Sequence, residues 1–154
     1  MTDDGVGVHA SRRARSLIED SDRIDVEEAE VAGFALLDLL RDRERVVIID
    51  ALTDEKRVAG EVSVQSLDAF RPTLHLCAGH EIDLPMALEL GRQMGYAMPS
   101  EIHLVVVAVE EARTLGESCT PAVAKAIEPA ASRAIELARG CPSTGSGQRT
   151  MARG

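Results

Sequence analysis

The chain has no tryptophan, one tyrosine and two phenylalanines among its 154 residues. Stacked rings therefore cannot form its core. Val, Ile, Leu, Ala and Met must fill it, as they do in α/β sheets covered by helices on both faces. Cysteine is also scarce. Cys77, Cys119 and Cys141 are odd in number, far apart and free of any CxxC pair. That excludes a disulfide framework and a zinc ribbon and fits a reducing cytoplasm, with each thiol structural or incidental. No apolar run approaches the roughly 20 residues that span a bilayer, which excludes a membrane-spanning helix. The opening MTDDGVGVHASRR holds no apolar stretch of the kind a secretory signal carries. Positive charge is short as well: 17 Lys and Arg stand against 26 Asp and Glu, a net charge of −9. This argues against nucleic acid and against an anionic membrane surface as partners, since both need a basic face. The negative charge names no function; it serves solubility.

What is present reads as one domain over residues 1–139, followed by a Gly/Ser/Thr-rich tail at 140–154 that should be disordered. Residues 5–19 have helical spacing, with Val8, Ala14, Leu17 and Ile18 as the apolar stripe and Arg12, Arg13 and Arg15 toward water; Asp3 or Asp4 could cap this helix. IDVEEAE at 24–30 alternates as an exposed-face strand does. FALLDLL follows Gly33 as a helix, and VVIID at 46–50 is a β-branched run suited to a strand buried on both faces. GEVSVQS at 60–66 alternates again. Residues 70–83 form a loop with two histidines, 84–94 a helix, and IHLVVVAV at 102–109 the second strongly buried strand. After a polar loop, Thr120 and Pro121 open a last helix that reaches about residue 139 and should kink at Pro129. The order predicts a three-layer α/β fold: a mostly parallel twisted sheet with helices on both faces. Doubly wound domains usually open with a strand that feeds the first helix. Here the loop and helix come first.

Few residues are placed to carry chemistry. Asp50 ends the VVIID run, and the carboxyl ends of parallel strands are where such folds keep their sites. It either works there or caps residues 51–54. Asp3 and Asp4 either cap the first helix or send one carboxylate toward the same crevice. His80, in CAGHEID, is the loop histidine of interest; His75 lies between leucines, His103 in a buried strand and His9 in a helix. Asp4, Asp50 and His80 together make a set of two carboxylates and one imidazole, donors suited to a borderline divalent metal such as nickel or zinc. No GxSxG, Walker loop or HExxH motif competes with them.

Five segments resemble the hydrogenase maturation proteases, in that family's order and over residues 2–139. DDGVGV at 3–8 is similar to the family's D-D/E-G-x-G-V segment, and VAGFALLDLL at 31–40 to its A-G-x-x-L-L helix. VVIIDA at 46–51 resembles its second acidic motif, GHEIDL at 79–84 its loop histidine, and LGESCTPAV at 115–123 its late loop and helix start. The resemblance implies a cytoplasmic endopeptidase, a monomer, in which Asp4, Asp50 and His80 are both the catalytic and the metal-binding residues. It implies that the metal is nickel carried by the substrate, a hydrogenase large-subunit precursor whose C-terminal extension is removed. That nickel would position the scissile peptide and polarise its carbonyl or activate water. Three departures stand out, the smallest being Asp at position 4, where some members carry the longer Glu and others Asp. The family opens with a strand and a G-x-G-N loop ahead of D-D/E, so this domain is expected to start one strand late. EAEV at 28–31 replaces the family's D-G-G-T, a segment tied to substrate choice. The last two departures keep a second reading open, a non-catalytic relative that binds a metal or partner protein through the same fold, beside a generic α/β domain holding a small ligand at its sheet edge.

Overall fold

Strand β3 (Glu101–Val109) shows why the layers form. Side chains alternate along a strand. Leu104 and Val106 therefore face one way and Val105, Val107 and Val109 the other, and all five are buried. Each face needs a cover, and helices supply it on both sides. The structure is a computed structural model that describes residues 3–28, 34–54, 56–67, 84–110 and 119–140, with the side chain of Asp4 outside the described set. Within these residues the chain opens with a 3-10 turn, Asp3–Gly5, and continues through α1 (Val6–Leu17), α2 (Phe34–Leu40), β1 (Arg45–Thr53), β2 (Val62–Ser66), α3 (Leu84–Gln93), β3 and α4 (Pro121–Ala138).

The sheet order is β1-β3-β2. β1 runs parallel to β3, with Asp50 opposite Val106, and β2 runs antiparallel on the other side of β3. One face, including Val47, Ile49, Ala51 and the odd-numbered β3 valines, packs on Val6 and Ala10 of α1 and on Val123, Ala126, Ala130 and Ala134 of α4. The opposite face, with Ile48, Leu52, Leu104 and Val106, packs on Leu36, Leu37 and Leu40 of α2 and on Leu84, Ala87 and Leu88 of α3. These are the three layers expected from the sequence. The Val6, Ala10, Ala14 spacing is the i, i+4 stripe of a helix that buries one side. α4 runs on through Pro129 to Ala138.

Three expectations change. Residues 23–28 are not a strand. Glu28 instead accepts from Arg12 and Arg15 of α1, each at 3.0 Å, and Arg15 also donates to the Val26 carbonyl at 2.5 Å. Asp25 is paired with Arg43. The acidic alternation is thus laid along α1 by its arginines, which are not simply solvated. Residues 29–33, the rest of that stretch, lie outside the described residues. Second, the VVIID run is covered on both faces but not fully buried. Arg45 to Asp50 are only half-buried, because β1 is the outer strand of the described sheet. Third, Asp50 does not end the strand, which continues through Ala51, Leu52 and Thr53, paired with Val107, Ala108 and Val109. The tail beyond Gly140 lies outside the described residues.

Candidate active site

Asp50 lies near the carboxyl end of β1, and the starts of several helices face that end of the sheet. Four residues lie between the end of α2 and the start of β1, and seven between α3 and β3, so the starts of both helices lie toward the carboxyl end of the sheet. α4 follows the carboxyl end of β3. The start of α1 arrives there too, because a Cβ built on Gly7 would lie 2.5 Å from the Ile49 carbonyl oxygen and 3.6 Å from the Asp50 Cα. Only glycine lets the helix backbone come this close.

Asp50 shares the even-numbered face of β1 with Ile48 and Leu52, the face under α2 and α3. Its Oδ1 accepts the N–H of Ala51 at 2.8 Å. The β1–β3 register directs even-numbered β1 backbone groups toward β3, so the Ala51 N–H and the Ile49 carbonyl point to the outer edge. Along that edge the Asp50 carboxylate satisfies one donor, and the start of α1 lies against the neighbouring acceptor.

The Asp3-Asp4 pair divides in a way the sequence did not reveal. The Asp3 carboxylate is not spent on α1, whose N-cap residue is Gly5. Asp3 is 5% exposed, the buried member of the polar and charged side chains among the described residues. Its Oδ1 accepts the Thr120 N–H at 2.6 Å and its Oδ2 accepts the Thr120 hydroxyl at 2.9 Å. Thr120 is the N-cap position of α4, and its hydroxyl serves Asp3 instead of its own helix. The Asp3 carboxylate thus sits at the start of α4, where backbone N–H groups lack partners and the helix dipole favours an anion. Burial pushes the Cys119 thiol up from its ordinary range, and the nearby Asp3 charge adds to this. A thiol held protonated in this way is a poor nucleophile.

Of the three residues singled out, Asp50 is placed at this edge, and Asp4 lies on the turn that docks beside it, its side chain outside the described set. His80 lies outside the described residues, as do His75, Cys77 and Cys141. Among the described residues no group of three His, Cys, Asp or Glu could hold a metal ion. His103 is no substitute. It pairs with Val47, three residues from the Asp50 level and roughly 10 Å away along the strand, beside Glu101 at 3.7 Å. His9 is half-buried within α1.

A family model for hydrogenase maturation protease (HycI) matches residues 8–137. The chain belongs to the hydrogenase maturation protease family. The matched span contains Asp50, His80 and Thr120, while Asp4 lies just ahead of it. Solved structures of such proteases agree in fold. The [NiFe] hydrogenase maturation protease HybD from Thermococcus kodakarensis is 26% identical, with a TM-score of 0.69, and the match covers 90% of this chain and 91% of that one. The maturating endopeptidase HybD from E. coli is 22% identical with a TM-score of 0.67, covering 91% of this chain and 86% of its own. A hydrogenase 2 maturation peptidase from Thaumarchaeota archaeon SCGC_AB-539-E09 is 24% identical, TM-score 0.58, with 89% of each chain covered. No curated relative matches. This maturation protease is thus a peptide-bond hydrolase of hydrogenase assembly, and among its described residues no helix is long and apolar enough to cross a membrane.

Proposed function

We propose that this maturation protease removes the C-terminal extension from a nickel-loaded [NiFe]-hydrogenase large-subunit precursor, with Asp4, Asp50 and His80 reaching for the nickel that the precursor carries. The observation that carries this reading is the docking of the Asp3–Gly5 turn and α1 against Ile49–Asp50 in a chain whose family match includes Asp50 and His80. Two segments far apart in sequence, each with an acidic residue, meet at one strand end. Carboxylate oxygens and a neutral imidazole suit a borderline divalent ion. The nickel is substrate cargo, so the chain's own task is to grip it and fix the scissile peptide beside the carboxylates. In this reading the enzyme is of aspartic type, with a carboxylate as the proton-transfer group. It works in the cytoplasm as a monomer, without nucleic acid or membrane, as its net charge of −9 suits. Residues 1–139 form the working domain and 140–154 a tail.

The test is cleavage of a purified precursor with and without nickel. Asp50→Asn and His80→Ala should each slow cleavage of the nickel-loaded form by on the order of 10²–10⁴-fold while the protein stays folded. Equal cleavage of nickel-free precursor, or wild-type rates in both variants, would sink the reading.

A further inference from the structure

The Asp3–Thr120 pair goes further than a staple between chain ends. Asp3 and Thr120 are 117 positions apart, yet both oxygens of one buried carboxylate are spent on that one residue. A carboxylate withdrawn from water is costly unless its lone pairs are met in good geometry. Here both are met, by the backbone N–H and the hydroxyl of the residue that opens α4. The next residue in the same 3-10 turn is Asp4. Beyond it, Gly7 rests against the Ile49 carbonyl. The segment holding Asp4 is therefore fixed at two points on two different elements: in front to the start of α4, behind to the outer edge of β1 next to Asp50. One attachment would leave the turn free to swing about it. Two attachments on either side of Asp4 leave its backbone one place relative to Asp50.

We propose that Asp3 and Thr120 are positioning residues for the reaction, setting where Asp4 stands against Asp50, an inference that rests on the protease reading above. The working atoms are the Asp3 carboxylate and the Thr120 hydroxyl, and neither touches substrate. Sequence alone hid this, since an aspartate doublet before a helix reads as capping. The Thr-Pro start of α4 reads as a cap for that helix, although its hydroxyl points to another element's needs.

The pair of variants Thr120→Val and Thr120→Ser isolates the hydroxyl. Valine keeps the shape and the backbone N–H and loses the O–H donor; serine keeps the donor. Well below the unfolding temperature, with circular dichroism showing both folded, Thr120→Val should lower kcat/KM for the nickel-loaded precursor about tenfold and Thr120→Ser should stay within about twofold of wild type. Amide hydrogen exchange at Gly5–Val8 should speed up about tenfold in Thr120→Val and not in Thr120→Ser. Wild-type kcat/KM in Thr120→Val would overturn the proposal, as would equal losses in both variants. A wild-type protein that cleaves no nickel-loaded precursor would overturn the protease reading instead. In that case exchange still decides the anchoring: unchanged protection at Gly5–Val8 in Thr120→Val refutes it, and faster exchange upholds it.

Discussion

Replacing Gly7 by alanine tests the docking on which the site depends. The added Cβ would stand 2.5 Å from the Ile49 carbonyl oxygen, and contacts under 3.0 Å are essentially never tolerated, so α1 must retreat from β1 by at least 0.5 Å. The neighbour is backbone in the middle of a strand paired with β3, so β1 cannot yield as a flexible side chain would. Overpacking of this kind costs about 1–3 kcal/mol. Alanine returns up to about 1 kcal/mol through its better helix propensity. The net loss is about 0–3 kcal/mol, which for a domain of this size lowers Tm by up to about 6–12 °C. The effect on the reaction should be larger than the effect on stability. A retreat of α1 carries the Asp3–Gly5 turn away from Asp50, and displacements near 1 Å cost about 10²-fold in rate, so cleavage should fall by about tenfold or more. Gly95→Ala is the control. It lies beyond α3, with no neighbour within 4 Å of its Cβ position and φ of +80°, so it strains the backbone without moving the site. It should cost stability of about 1 kcal/mol and leave cleavage unchanged. The measurements are thermal unfolding and initial rates on nickel-loaded precursor. A Gly7→Ala protein with Tm raised by its helix propensity and wild-type cleavage would show that α1 does not rest on Ile49, and the site as built here would fall with it.

Two further outcomes test the frame around the site. Leu104→Ala empties a fully buried position between β3 and the α2–α3 layer and should cost about 2–5 kcal/mol, read from urea unfolding. Acidification should weaken the fold in a defined direction: Arg139 holds the Asp22 carboxyl low, Arg45 does so for Glu101 and Arg13 for Glu128, all through side-chain hydrogen bonds. A carboxyl lowered in the folded state adds stability above its unfolded pKa, and that stability is lost as pH falls through the folded value. Urea midpoints should therefore fall between pH ~6 and ~3, and Arg139→Gln should flatten part of that slope; an unchanged slope in Arg139→Gln would show that the Asp22 pair does not contribute.

The layers were legible because the continuous apolar run of β3 and helical spacing in α1 and α4 are local facts that burial enforces. IHLVVVAV can be little other than a strand covered on both faces, and it is. Asp50 was legible as a charge at the end of an apolar run, although the strand extends three residues past it: Ala51, Leu52 and Thr53 lack the β-branched density of the preceding run but gain partners in Val107, Ala108 and Val109. Pairing, a long-range property, set that boundary. The strand at 24–30 failed for a related reason. A half-exposed strand needs a neighbour, and residues 23–28 have α1 beside them, with Arg12 and Arg15 positioned to take Glu28. The same Asp-Glu alternation that marks a strand face also marks an acidic strip that arginines can bind.

What the sequence could not distribute was the work of two adjacent aspartates. Both precede a helix, and either could cap it. The deciding factor lies at the other end of the chain, where α4 begins with Thr120 and a proline that has no N–H to offer. The Thr120 N–H and hydroxyl then face outward from the helix start and need an acceptor, and the Asp3 carboxylate fits both at once. Once Asp3 is committed there, the turn that follows must pass Asp4 toward β1, and Gly7 sets how near it can come. Position 3 is thereby bound to architecture, which in the proposed function leaves position 4 for chemistry. An Asp3→Asn substitution would keep the size of the side chain but replace one acceptor with a donor facing a donor. It should therefore disturb the reaction through position 4 without removing any group that touches the substrate.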